Sequence, residues 1–158
     1  MKTNGSSAQK KVTVITVNRK AHHEYEIFNK YEAGLALKGT EVKALRVHKA
    51  NVADAYAKVK NGEIWLFNSN IPVYNYASYT NHEPLRARKL LLHHNEIRRI
   101  SSKLQEQGYT LIPLKLYFSG AKVKIEIALA KGKKLYDKRR DIKQRESKKQ
   151  LKKIRTVK

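Results

Sequence analysis

A break in composition after Ala130 sets the outer limit on what this chain can fold into. Lys131–Lys158 holds 14 Lys or Arg against 3 Asp or Glu. Its apolar residues Leu135, Ile142, Leu151 and Ile154 are too few and too scattered to hold a helix on a core, and like charges packed this densely repel one another. Any core must therefore come from the residues before it, a length that suits one compact domain with an appendage. At the other end, Met1–Lys11 is small, polar and basic around Gly5-Ser6-Ser7, with no periodicity that could bury a face. The chain divides into a disordered lead-in (1–11), one domain (12–130) and a basic tail (131–158) that is unfolded when free. From Tyr136 onward the tail has neither Gly nor Pro, and its Lys, Arg, Gln and Glu are good helix formers. Asp141 with Arg145, and Glu146 with Lys149 or Gln150, add helix-compatible pairs. A polyanionic groove would neutralise the repulsion and draw out a helix.

Within the domain, Tyr25, Ile27, Tyr31, Ala33, Leu35 and Leu37 mostly alternate with polar residues, the period of a strand with one face on a core. Gly34 marks a bend in it. Thr40–Arg46 changes to helical spacing, with Thr40 available as N-cap. Ala55–Lys60 and Glu63–Phe67 flank Asn61-Gly62, a turn whose two positions both need positive φ, so these strands form a hairpin. Asn68–Pro84 is an ordered, partly wrapped connection carrying Tyr74, Tyr76, Tyr79 and His82. Ile97, Ile100 and Leu104 space a helix after the Leu90-Leu91-Leu92 run, with Gly108 as its left-handed stop. Leu114–Phe118 and Val123–Leu129 alternate on either side of Ser119-Gly120, a second hairpin.

Five strands reachable by antiparallel connections, with one longer helix between the third and fourth, predict a mainly β chain with helices (α+β). A small antiparallel barrel of the oligonucleotide-binding type packages them with no exposed edges. An open α+β sandwich is the alternative.

The whole chain carries 35 Lys or Arg against 13 Asp or Glu, a formal charge of +22, with a pI of about 10.2. Such an excess calls for a polyanionic partner: a nucleic acid, whose contacts release counterions, or an anionic membrane surface. No apolar run approaches a spanning helix and neither a signal peptide nor a lipidation motif is visible, so a soluble, cytosolic protein with no membrane partner is expected. The absence of cysteine rules out disulfides and thiolate metal sites.

Catalytic chemistry finds no foothold. His22-His23 and His93-His94 are adjacent pairs, whose side chains diverge, rather than the i, i+4 pairs of a helical zinc site. Glu32, Glu41, Asp54 and Glu63 show no paired arrangement, and no nucleophile elbow, phosphate loop or dinucleotide fingerprint appears. Lys131-Gly132-Lys133-Lys134 lacks both the first glycine and the helix-opening hydroxyl of a P-loop. The expectation is a protein that is no enzyme, with no metal and no cofactor. Most tyrosines and Trp65 read as packing. Tyr136 differs: amid Lys133, Lys134, Lys138, Arg139 and Arg140 and outside any core, its ring suits stacking on a base.

Five ordered blocks then carry a likeness: Asn18-Arg19-Lys20-Ala21-His22-His23-Glu24-Tyr25, Tyr31-Glu32-Ala33-Gly34-Leu35, Gly39-Thr40-Glu41-Val42-Lys43-Ala44-Leu45-Arg46, Pro84-Leu85-Arg86-Ala87-Arg88-Lys89-Leu90-Leu91-Leu92, and Ala130-Lys131-Gly132-Lys133-Lys134-Leu135-Tyr136-Asp137-Lys138-Arg139. Together, from about Asn18 to Arg145, they resemble the small protein B family. The resemblance implies a barrel that grips the transfer-RNA-like domain of transfer-messenger RNA. It also implies delivery of the charged RNA, with elongation factor Tu engaged indirectly, to stalled ribosomes for trans-translation, and a chain acting as a monomer. It ties Glu32 and Leu91, Leu92 and His93 to RNA grip, puts Asn18, Arg19, Lys20, His23 and Tyr25 on the same face, and adds Arg86, Arg88, Lys89, Lys131, Lys133 and Lys134 as RNA contacts. It sends the tail, with Tyr136, Asp137, Lys138, Arg139, Lys143 and Arg145, into the empty message channel and decoding centre.

Three positions depart from the family pattern: His93, where some members have Asn; Ala128 in place of Gly; and Ser147, where some relatives have an aromatic. The last bears on how the tail docks. A carboxylate such as Glu32 repels phosphate, so it contributes either by accepting from a base or a 2′-hydroxyl, or by orienting a neighbouring basic side chain. A structural ribosomal protein and an RNA-processing enzyme are the competing classes. The first would stay on ribosomes without transfer-messenger RNA, and the second would need a carboxylate or metal cluster.

Overall fold

The computed structural model describes residues 11–47, 50–77 and 80–155, with backbone alone for Tyr136 and residues 153–155. The expectations for Met1–Lys10, for Tyr79 and for the ring of Tyr136 lie outside the described residues.

In chain order the elements are β1 (Val12–Val17), α1 (Ala21–Glu24), β2 (Tyr25–Leu35), α2 (Gly39–Arg46), β3 (Tyr56–Lys60), β4 (Glu63–Phe67), β5 (Arg88–Leu91), α3 (His94–Leu104), β6 (Tyr109–Ser119), β7 (Lys122–Gly132) and α4 (Leu135–Arg155). The chain is thus mainly antiparallel β with four helices. The strand order is β1-β6-β3-β4-β5-β2-β7, and β7 also pairs with β6, so the ladder β6-β3-β4-β5-β2-β7 returns to where it starts. Its thinnest seam lies between β3 and β6, joined through Ala57 and Leu111.

Turn chemistry fixes the two hairpins. Asn61 and Gly62 take φ of 51° and 72°, and Gly120 takes 61°. The second turn is Gly120-Ala121, one residue beyond the expected Ser119-Gly120, and both of its strands run longer than the alternation indicates. Two strands escape the sequence pattern, β1 and the four-residue β5. Thr40 is not the cap of α2: Lys38 is, and its N–H donates to Glu41 Oε2 at 2.7 Å. Thr40 Oγ1 instead meets His82 Nδ1 at 2.9 Å, while His82 Nε2 donates to the Ile71 carbonyl at 2.8 Å. This buried imidazole pins the Asn68–Pro84 connection to α2. Helix α3 stops at Leu104, and Gly108, at φ 83°, turns the chain into β6 rather than ending the helix directly.

Inside the ladder lie Ile64, Leu66, Leu90, Leu111, Leu116, Ile125, Ile127 and Leu129, with Leu45 of α2 and Ile100 of α3 packed against them. Each such side chain stabilises the fold by about 1.5–3 kcal/mol. A smaller cluster, Ala21, Ile112, Leu114, Ala128 and Ala130, sits on the other side of β6 and β7, where α1 covers the sheet. One extra residue in β2 between Ile27 and Lys30, and one in β6 between Pro113 and Lys115, reverse the alternation of those strands. Hence Tyr25 and Ile27 before the bulge share an outer face with Glu32 and Gly34 after it. By the same reversal, Lys115 and Tyr117 join Lys124 and Glu126 on that face.

Where charge density predicts an unfolded free tail, Leu135–Arg155 is helical in the structure. Its start is tied to α1 by the Lys133 ammonium, which binds the Asp141 carboxylate and donates to the His22 carbonyl at 3.1 Å.

Candidate RNA interface

Glu32 and Leu91–His93, remote in sequence, meet at the crossing of β2 and β5. Gly34 pairs with Leu91, and a Cβ on Gly34 would stand 3.4 Å from Leu91 Cβ. That is ordinary contact with a side chain, so the space beside Gly34 does not by itself demand a glycine. The two segments open a cleft of about 320 Å³ lined by Glu32, Gly34, Leu91, Leu92, His93, Glu96 and Lys124. Leu91 stays exposed within it. His93 caps α3, its own N–H donating to Glu96 Oε2 at 3.0 Å, and its ring remains exposed.

Glu32 accepts from the Lys124 ammonium and the Tyr117 hydroxyl. The Lys124 hydrogen bond, followed by that of Tyr117, holds the carboxyl below the usual carboxylate range, while burial and the Glu32 charge push the Tyr117 hydroxyl far up. Glu32 thus stays ionised and Tyr117 protonated across the neutral range. Beside them Lys115 pairs with Glu126 at 3.0 Å, as does Lys30 at 3.5 Å. Lys115, Tyr117 and Lys124 are absent from the sequence-derived set. Their signal was the charged alternation of β6 and β7, illegible while the β6 bulge was unknown.

The other expected contacts separate into two groups. Arg88 is wholly buried. Its guanidinium donates to Glu41 Oε1 at 2.8 Å, Ser69 Oγ at 2.9 Å and the Pro84 carbonyl at 3.0 Å. Burial lowers its pKa, and Glu41 opposes that shift. Placed so, it cannot reach an RNA phosphate. Arg86 also donates to Glu41, from Nε at 2.8 Å, and to the Ala36 carbonyl at 3.1 Å. Asn18 is buried as well: its amide donates to the Pro113 carbonyl at 3.1 Å and accepts from the Ala21 N–H at 3.1 Å, which sets the entry to α1. These three residues build the scaffold.

Arg19 and Lys20 are exposed, with Lys20 3.6 Å from Asp54. Tyr25 packs partly on the α1 cluster, and His23 Nδ1 is buried without a hydrogen-bond partner among the described residues. Lys89 pairs with Glu63. Lys131 Nζ lies 4.2 Å over the Tyr109 ring, which meets exposed Phe28 edge-on at 5.3 Å. Lys134, Asp137, Arg139, Lys143 and Arg145 are exposed and Lys138 half-buried. Among the described residues no group of three His, Cys, Asp or Glu could hold a metal ion, and no helix is long and apolar enough to cross a membrane.

A family model described as SmpB protein matches residues 15–157. The chain is 54% identical over 155 residues to the SsrA-binding protein of Syntrophobacter fumaroxidans, covering 98% of this chain and 96% of that one. It is 52% identical over 140 residues to the SsrA-binding protein of Carboxydothermus hydrogenoformans, covering 89% and 94%. A chain in the solved structure "tmRNA-SmpB: a journey to the center of the bacterial ribosome" superposes with a TM-score of 0.65 at 48% identity, over 76% of this chain and 85% of that one. With a family match spanning both the sheet and the tail, and relatives matched over nearly their full length, the chain belongs to the SmpB protein family.

Proposed function

We propose that this chain binds transfer-messenger RNA and brings it to stalled ribosomes for rescue and peptide tagging, as a non-catalytic adaptor working in the cytoplasm. The observation that carries it is the Glu32–Leu91–His93 cleft, an exposed leucine and imidazole beside an oriented lysine. Relatives named for binding SsrA support it, as does the resemblance to a tmRNA-SmpB structure at the ribosome. The returning ladder is a barrel of the oligonucleotide-binding type, and its outer face grips the RNA. Glu32 works as a positioning residue: bound to Lys124 and Tyr117, it aims the ammonium at the RNA rather than meeting phosphate itself. Arg19, Lys20, Lys89, Lys131, Lys133 and Lys134 extend the basic surface, and elongation factor Tu is engaged through the charged RNA. The tail, from Tyr136 on, enters the message channel as a helix whose exposed charge the RNA neutralises.

The test is a titration against transfer-messenger RNA with ordinary transfer RNA as competitor, at near-physiological salt, for the full chain and for a chain truncated before Tyr136. Tight binding that resists the competitor and survives truncation, with tagging lost, is the expected result. Equal, salt-labile binding to both RNAs would leave charge alone as the explanation and favour a structural ribosomal protein.

A further inference from the structure

Strand alternation places a second set of side chains on the outer face of the sheet. With Ala57, Ile64, Leu66 and Leu90 buried, the opposite side of the same strands presents Tyr56, Lys58 and Lys60 on β3, Glu63, Trp65 and Phe67 on β4, and Lys89, paired with Glu63, on β5. The register lines up Lys58, Trp65 and Lys89 as one cross-strand row, and Tyr56 with Phe67 as the next. The Tyr56 and Phe67 rings stack at 5.6 Å and 21°, and Lys58 Nζ stands 5.2 Å from the Tyr56 ring centre. All three rings keep part of their surface open to solvent.

We propose that this face is a stacking platform for unpaired bases of a single-stranded RNA segment, with Trp65 and Tyr56 taking the bases and Lys58 and Lys89 the flanking phosphates. Two strand spacings set the lysines about 10 Å apart on either side of the indole, so a ring lies open between the exposed Lys58 and a Lys89 that Glu63 shares and a phosphate would have to draw away. That combination suits a chain whose flat apolar groups alternate with anions. A duplex hides its base faces and offers such a surface only phosphate. The platform adjoins the cleft, since Lys89 and Leu91 point the same way from β5 and Leu91 lines the cleft. An RNA strand leaving the cleft would cross it, whichever RNA the cleft holds.

Trp65 is the only tryptophan in the chain, so its emission reports on this face alone. The experiment titrates the full-length protein with an unstructured ten-nucleotide oligouridine, with a duplex RNA of equal phosphate number, and with heparin, all at near-physiological salt. Oligouridine should quench Trp65, and the other two should leave its emission nearly unchanged. Tyr56→Ala should weaken the oligouridine affinity about tenfold, by loss of one stacking partner, and Lys58→Gln about threefold. Lys58 is exposed and outside the core, so K58Q keeps the test decisive if Y56A disturbs the hairpin. Absence of quenching by oligouridine, equal quenching by duplex or heparin, or an unchanged affinity in K58Q would each overturn the platform. Because the probe is not transfer-messenger RNA, loss of binding to that RNA in a separate titration would refute the proposed function and leave this result standing.

Discussion

The domain and the tail carry the same excess charge by different means. Residues 1–130 and 131–158 each have a formal +11, yet the first spreads it over a sheet with a packed interior and the second concentrates it in 28 residues. In the domain, a charge sits where the core and its partners put it: Glu41 and Arg88 are buried together, and Glu32 holds Lys124 at the rim of a cleft. In the tail, α4 has an exposed outer surface and, among the described residues, an ion pair from Asp141 to Lys133 in the segment that leaves β7. Charge placement is therefore set by a packed core in one region and left to an exposed helix in the other.

The largest effect that follows is on stability. Replacing Glu41 with Ala leaves Arg88 buried without its carboxylate, a loss on the order of 3–5 kcal/mol in urea unfolding. Truncation before Tyr136 should change stability by less than about 0.5 kcal/mol, and a loss comparable to that of Glu41→Ala would erase the contrast between the regions. The two also differ with pH. Burial pushes the Glu41 carboxyl up, but Arg86, the Lys38 N–H and Arg88 together draw it further down, so it ends below the ordinary range. A depressed folded-state pKa gives stability that is fully present above the unfolded value of about 4.3 and is lost as pH falls through the folded one. Acid unfolding of the parent should show this loss, and Glu41→Gln should flatten it, whereas the truncated chain should keep the parent's acid profile.

A smaller effect sharpens what placement means for RNA. If Glu32 works by orienting Lys124, then Glu32→Gln and Lys124→Met should not add: each weakens the grip on transfer-messenger RNA, and the double variant is little worse than Lys124→Met. The coupling should be on the order of 1 kcal/mol. Additive losses would instead mean that the carboxylate touches RNA on its own account. Between pH 5.5 and 8 the effect of Glu32→Gln should not vary, because Glu32 is already ionised throughout.

How far the sequence discloses this arrangement depends on whether the signal is local. Asn61-Gly62 announces its hairpin because both residues must adopt positive φ, and the tail announces itself by charge. Strand β5 is silent: four residues long, it begins with a buried Arg88, and a basic residue before a leucine run reads as surface. Its clue was Leu90, two positions on and therefore on the same side of a strand. The reversal of alternation in β6 had a clue in Pro113, which cannot donate to a ladder and so marks a bulge or an edge. The matching bulge in β2 carries no Gly or Pro and left no trace. The cleft was legible only as family likeness, since no local pattern brings Glu32 to Leu91. Asn18 and Arg88 entered the RNA-binding set through the family likeness, and no local pattern announces that both are buried with carbonyls and a carboxylate as their acceptors.

The smallest effect concerns the ion pair that ties α4 to the segment leaving β7. The Lys133 ammonium holds the Asp141 carboxyl below its usual range, with Arg145 a turn later adding to it. Asp141→Asn removes that tie while keeping the shape of the side chain and most of the helix-forming composition. If the partner places the tail, the variant should lower the 222 nm ellipticity of the free protein slightly, leave its melting temperature unchanged, and tag peptides on stalled ribosomes at the parental rate. The ellipticity difference should vanish once the pH falls well below the ordinary Asp value of about 3.9, where the parent loses the same tie by protonation. A tail that lost all its helix on this one substitution would be placed by the protein after all, and its helix would then be a docked element of the fold rather than a conformation drawn out by RNA.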